Sequence, residues 1–362
     1  MRIHKTRRRL GFLFAALAVG SIFQTTFVAL AQPARPFEGQ TIRVMFWGGD
    51  QGRAITQHVV EPFQEQTGAK VVIEQGRTGD TMAKVRAQKA NPQLDIAMFD
   101  DVGVLLLGQE GLLDAIDTSR LPNAKDIQPR AIFEGEKGKV QGVGIFQFVT
   151  ALLYNPQLVK EPPTSWGILW DNAYRGKVQI PSTRTAIAFF IAVAAARLNG
   201  GDEYRMAPAW DALRALKPNL HSLITNETVT AEMFKSNELA VIAHATFLFK
   251  GFIEKGYPIR VAYGLKEGVF GTVSVATIVK GHRGKDELIY DFLNRLLDAD
   301  VQRKISTDLW TGPTNKRVVL PPNVSEQVID TEEKWKRLLL LDLDNYQKNR
   351  ALWLEEYNRA VQ

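Results

Sequence analysis

Cysteine is missing from all 362 residues. That excludes disulfides, thiolate metal ligands, a cysteine nucleophile and a lipid anchor on cysteine. Histidine is scarce, and His4, His58, His221, His244 and His282 share no metal-ligand spacing. No His-Glu-x-x-His, Gly-x-Ser-x-Gly or phosphate-loop signature occurs. Gly48-Gly49-Asp50-Gln51-Gly52 is glycine-rich, but it has neither GxGxxG spacing nor a phosphate-loop lysine. The expectation is therefore no metal, no cofactor and no enzyme. The apolar run 186–196 is too short to span a bilayer and reads as a buried helix. Internal repeats and low-complexity segments are also lacking.

An excess of charge is lacking too, once the N-terminus is set aside. Residues 1–31 read as a secretory leader: Arg2, Lys5, Arg7, Arg8 and Arg9, then a mostly apolar stretch, then Ala29-Leu30-Ala31 before Gln32. Polar residues interrupt the stretch, which weakens the competing reading as a membrane anchor. Thr6-Arg7-Arg8-Arg9-Leu10 faintly resembles a twin-arginine signal, against the general secretory route. Of 45 Lys and Arg, these five lie in the leader and no acid does, which leaves 40 bases against 39 acids. The basic balance of the whole chain is thus a property of the leader and no argument for nucleic acid.

What is present begins at residues 41–53, TIRVMFWGGDQGR. Ile42, Val44 and Phe46 alternate with Arg43, Met45 and Trp47, the period of a strand. Two glycines end it and a helix is expected by residue 55. Trp47 thus sits at the carboxyl end of a strand, where open α/β sheets bind ligands, or else packs under the loop. A second strand at 70–74 leads to Gly76-Arg77-Thr78-Gly79-Asp80, in which Thr78 or Asp80 is placed to cap a helix at 81–89. A third strand, 95–99, ends in Asp100-Asp101. This β-loop-α rhythm predicts a parallel sheet with its loops gathered at one edge.

The rhythm then changes. Residues 140–149 and 151–155 are strand-like with little helix between them. A short strand is expected at 178–180, and Pro181-Ser182-Thr183-Arg184-Thr185 opens a helix at 186–198. Further helices are expected at 207–216, 230–236 and 247–255, with a strand at 239–243. Strands at 259–263, 265–271 and 273–279 precede helices at 286–299, 301–309 and 332–361. The break near residue 145 and the return of strand character near 274 suit two α/β lobes joined by two crossings, the second inserted into the first.

Several motifs in this order resemble a known family. They are Trp47-Gly48-Gly49; Glu61-Pro62-Phe63-Gln64-Glu65-Gln66-Thr67-Gly68; Lys70-Val71-Val72; Asp95-Ile96-Ala97; and Leu152-Leu153-Tyr154-Asn155. Then come Pro163-Thr164-Ser165-Trp166 with Leu169-Trp170, Tyr174-Arg175-Gly176-Lys177-Val178, and Lys266-Glu267-Gly268. The chain resembles the bacterial periplasmic solute-binding proteins of ABC importers, in the spermidine/putrescine-type branch. The resemblance implies an α/β, two-lobed periplasmic-binding-protein fold of type II, with two parallel or mixed sheets flanked by helices and a hinge between lobes. The expected division is 1–31 leader, 32–148 with 274–330 lobe 1, 149–273 lobe 2, and 331–362 a helical segment packing back on the lobes. Expected partners are a small-molecule solute and an inner-membrane ABC permease with its ATPase. The protein is expected to be a periplasmic monomer, without nucleic acid or lipid anchor.

The resemblance also implies a ligand between the lobes, held by loops after the strands. Carried onto this sequence, these are Trp47 and Gly48, Arg77 and Thr78, Asp100 and Asp101, and Phe146 and Gln147. In the second lobe they are Ser182, Thr183, Arg184 and Thr185, His244 and Thr246, and Thr272 after Glu267. The polyamine pattern is not kept. Acids are expected beside Ser182, but Thr183, Arg184 and Thr185 stand there. A Trp and an Asp are expected after Lys266-Glu267-Gly268, but Phe270, Gly271, Thr272 and Val273 stand there. An aromatic is expected where His244-Ala245-Thr246 stands. Hydroxyls at a helix start, with Arg184 and Arg77, suit an anion instead. The expected solute is therefore small and anionic or zwitterionic, carrying a carboxylate, with Asp100-Asp101 as the home of any ligand ammonium. A polyamine-binding protein of the same fold is the alternative. A periplasmic enzyme or sensor on this fold is a remoter one.

Overall fold

The computed structural model describes residues 35–135, 138–183 and 185–362. The expected leader and Arg184 lie outside the described residues. β1 (Thr41–Phe46) buries Ile42, Val44 and Phe46 and stops at Gly48 and Gly49, whose φ of 62° suits glycine. A helix follows at once: α1 (Gly49–Ile55), a π-helical turn (Thr56–Val60) and α2 (Glu61–Thr67), closed by left-handed Gly68. Pro62 has no N–H to offer the carbonyl four residues back, and the wider turn sits where that bond is missing.

The chain continues through β2 (Lys70–Gln75), α3 (Thr78–Ala87), β3 (Ile96–Asp100), α4 (Asp101–Gln109), β4 (Ile132–Glu134) and β5 (Val140–Tyr154). Next come β6 (Val178–Pro181), α5 (Ile187–Leu198), α6 (Ala207–Leu216), β7 (Leu220–Ile224), α7 (Glu227–Lys235), β8 (Val241–Ala245), α8 (Lys250–Glu254) and β9 (Arg260–Ala262). It closes with β10 (Val269–Ile278), α9 (Asp286–Leu296), α10 (Ala299–Leu309), β11 (Gly312–Pro313), α11 (Pro322–Ser325), α12 (Glu332–Arg337), β12 (Leu338–Leu339) and α13 (Leu343–Val361).

Among the described residues the strands run in the order β2-β1-β3-β10-β5-β8-β6-β7. β1 is parallel to β2 and β3, and β6 is parallel to β7 and β8. These two parallel groups are joined by the long antiparallel pair β5 and β10. The α/β architecture is the expected one, but hydrogen bonding runs through both expected boundaries. Residues 140–154 form one strand rather than two, and residues 269–278 likewise. Phe146 through Thr150 keep their partners on β10 from Ser274 to Phe270, so the chain crosses between the two groups without leaving the ladder.

The helical end is divided, because β12 pairs with Val269 and Phe270. Beyond it α13 packs against α5 and α6 of one group and α4 of the other. Buried Trp353 meets Phe189 and Tyr346 there.

Candidate functional site

The register fixes where the strand ends meet. Asp100, the last residue of β3, lies opposite Ser274, which lies opposite Phe146. Ala245, the last residue of β8, lies opposite Thr150. The carboxyl ends of both parallel groups therefore point at the same stretch of β5, residues 146–150. At about 3.3 Å per residue that stretch is roughly 13 Å long. Loops following β1, β2 and β3 face loops following β6, β7 and β8 across it, which is where an open α/β sheet offers a ligand crevice.

The expected residues fall at this crossing in different states. Trp47 is 7 % exposed, with its ring 5.9 Å from that of Phe146. Phe146 and Gln147 are fully buried, and Gln147 Nε2 donates to the Ile329 carbonyl at 2.9 Å. Arg77 precedes α3, and its N–H donates to Asp80 at 3.0 Å. Asp80, not Thr78, therefore closes that helix start. The Thr78 hydroxyl instead donates to Asp100 Oδ2 at 2.9 Å. Asp101 Oδ2 accepts the Val273 N–H at 3.1 Å, and its Oδ1 accepts the Val102 N–H at 2.9 Å. Burial pushes Asp100 up to about 6 and Asp101 up to about 7; the hydrogen bonds oppose the shift, and the neighbouring Asp100 adds to it at Asp101.

Ser182, Thr183 and Thr185 were expected on the first turn of a helix, but α5 begins at Ile187, so they form a turn ahead of it. Pro181 is held in β6, so Ser182 is the first residue beyond the strand and the helix starts only at Ile187. Thr183 Oγ1 donates to Asn358 of α13 at 3.0 Å, and Thr185 Oγ1 is buried without a partner among the described residues. His244 is buried with its ring edge-on to Phe249, and its Nδ1 accepts the Ala245 N–H at 2.8 Å. Burial holds its imidazole down at about 4 despite Glu227 at 3.8 Å. Thr246 accepts the Tyr263 hydroxyl at 3.3 Å, and Thr272 is buried opposite Phe148.

A cavity of about 840 Å³ opens between the facing loops. Of the expected residues only Gly48 lines it. Its walls are Gly49, Asp50, Gln51, Arg53, Ala54 and Gln57 of the helical segment after β1, Phe247, Leu248, Lys250, Gly251, Phe252, Glu254 and Lys255 after β8, and Thr307–Leu309 at the end of α10. Asp50 pairs with Arg53, Lys250 with Glu254 and Asp308 with His58. Among the described residues Lys255 is the one charged wall residue outside any ion pair. Trp310 follows Leu309 with φ of 54°, a left-handed conformation that is costly for a bulky side chain. Lys250 Nζ lies 5.5 Å from the centre of its ring. Sequence reading missed Lys250 and Trp310; a Trp directly after a helix and before Thr311-Gly312-Pro313 was the available signal.

The bacterial extracellular solute-binding proteins match residues 58–331 of this chain. The chain belongs to that family. This chain is also similar to a spermidine/putrescine-binding periplasmic protein of Haemophilus influenzae, 26% identical over 281 residues, 74% of this chain and 75% of that one. An ABC transporter structure from Clostridium perfringens superposes with a TM-score of 0.77 at 23% identity, covering 89% of this chain and 100% of the other. A spermidine/putrescine ABC transporter substrate-binding protein from Streptococcus pneumoniae superposes with a TM-score of 0.72 at 19% identity, with the same coverage. These structures support the two-lobed periplasmic-binding fold class expected for the solute-binding chain.

Proposed function

We propose that this solute-binding protein works in the periplasm, reached through its N-terminal leader, and delivers a small organic solute to an ABC permease driven by its ATPase. It acts as a monomer with no lipid anchor. The two parallel strand groups act as lobes, 32–148 with 274–330 and 149–273, with residues 331–362 strapped across them. The solute sits between the loops after β1 and those after β8, and closure turns about β5 and β10. The observation that carries this reading is the register: both groups present their carboxyl ends to one short stretch of β5, over a cavity of about 840 Å³.

The favoured solute is anionic or zwitterionic and carries a carboxylate. The acids at the strand ends are already engaged, Asp100 by Thr78 and Asp101 by Val273 and Val102. Every acid in the cavity wall has a basic partner, and the basic Lys255 does not. Ser182, Thr183, Thr185 and Thr246 at the second lobe's strand ends, and Arg77 on the first lobe, stand outside the wall of the open cavity and are candidate contacts for the closed form, as is Arg184, which lies outside the described residues. Each charge-assisted hydrogen bond to such a carboxylate is worth about 1.5–3 kcal/mol.

A melting-temperature screen against organic acids, amino acids and polyamines tests this, because a ligand of the folded state raises its stability. A carboxylate that raises the melting temperature while spermidine and putrescine do not is the expected outcome. The reverse result replaces the anionic reading with the polyamine one, and no response from any small solute removes the binding role proposed for the cavity.

A further inference from the structure

Lys250 stands out among the cavity residues. Its ammonium lies 2.6 Å from Glu254 Oε1 and 5.5 Å from the centre of the Trp310 ring. A carboxylate and an aromatic face are the two partners an organic ammonium seeks. An ordinary i,i+4 ion pair on a helix lies out in solvent. Here the Lys250 side chain is only 18% exposed, in the wall of the cavity. Its two partners also come from opposite sides. Glu254 belongs to the helix after β8, while Trp310 ends α10, which packs on α1, the π-helical turn and β11. The left-handed backbone at Trp310 is the kind of local cost that persists where surrounding structure holds a side chain in place.

We propose that the cavity contains an ammonium subsite that the protein fills with its own Lys250, so that primary amines are excluded from it. Lys250 is then a specificity-determining residue. Its removal leaves the Glu254 carboxylate and the Trp310 face without their cation, with Asp50 and Asp308 nearby in the wall and only Arg53 and Lys255 to oppose a guest amine. The inference rests on the reading of this cavity as the solute site.

Calorimetric titration of putrescine and spermidine into the full mature chain tests it. Three proteins are compared: the wild type, Lys250→Ala, and Lys250→Ala with Glu254→Gln. Lys250→Ala is expected to bind putrescine at least about ten-fold more tightly than the wild type, from the cation–π and charge-assisted contacts made available. The Glu254→Gln change is expected to remove most of that gain. Lys250→Met, which keeps the aliphatic stem, serves the same comparison if the alanine variant does not fold. Binding to the lysine variant that is undetectable, or no tighter than to the wild type, overturns the inference. Tight spermidine binding by the wild type overturns the anionic reading; if the lysine variant then binds spermidine no more tightly, it overturns this inference as well.

Discussion

Asp101→Asn is the most informative single change for the electrostatics of the crossing. Asp101 is buried beside Asp100 and sits at about 7, against an ordinary carboxylate value of 3.8. An acid whose folded value is raised binds its proton more tightly in the folded chain. Its contribution to stability is full below the unfolded value and is lost as pH rises toward the folded one. Between about pH 5 and about pH 7.5 the full shift corresponds to about 2.5 kcal/mol, and relaxation around the site makes about 2 kcal/mol the working figure. His244 runs the other way. Its imidazole is held down at about 4, so its contribution is present above about 6.5 and is lost as pH falls. His244 and Asp100, the latter raised to about 6, both remain in the variant with slopes of opposite sign, so the difference between the two proteins isolates Asp101. Urea unfolding of both proteins at the two pH values measures the difference. The wild type is expected to lose about 2 kcal/mol relative to Asp101→Asn on going from the lower to the higher pH. Parallel pH profiles for the two proteins would refute the burial argument for Asp101.

Trp47→Ala removes a buried ring that packs against Phe146. It is expected to cost about 3–5 kcal/mol in urea unfolding, while Trp47→Phe costs clearly less. Asp95 accepts the N–H groups of Arg43, Arg283 and Gly284 at 2.7, 2.9 and 2.7 Å. Asp95→Ala should therefore destabilise the fold by roughly 4 kcal/mol or more, read from the unfolding midpoint. Tyr357 donates its hydroxyl to the Pro181 carbonyl at 2.7 Å, tying α13 to the end of β6. Tyr357→Phe should cost about 1 kcal/mol and speed amide exchange in the turn after Pro181.

Local pattern carried much of this fold in the sequence. The alternation at 42–46 and the stop at Gly48-Gly49 placed β1 and the helix behind it. Left-handed Gly68 closes that helix. Long-range pairing was less legible. Residues 140–155 read as two strands because Thr150 interrupts the apolar pattern, yet Thr150 is buried between Phe270 and Ala245 in one unbroken ladder. β7, Leu220–Ile224, was not expected, since LHSLI is short and half exposed and draws its support from β6. At the site, the family resemblance named the strand-end residues by their place after each strand. Position does not say whether a side chain lines the cavity or is buried beneath it. Trp47, Phe146, Gln147 and His244 are buried, while Lys250 and Trp310 meet only because two distant helices converge.

The central claim is that a solute bound between the loops after β1 and β8 draws them together. Because the chain has no cysteine, Gln57→Cys and Gly251→Cys introduce a single pair of spin-label sites, both exposed and on opposite walls of the cavity, and a Cβ at Gly251 meets nothing within 4 Å. The distance between the labels is measured with and without the metabolite that raises the melting temperature most. A shorter, narrower distance distribution with the metabolite is the predicted result. The same distribution in both samples would contradict it.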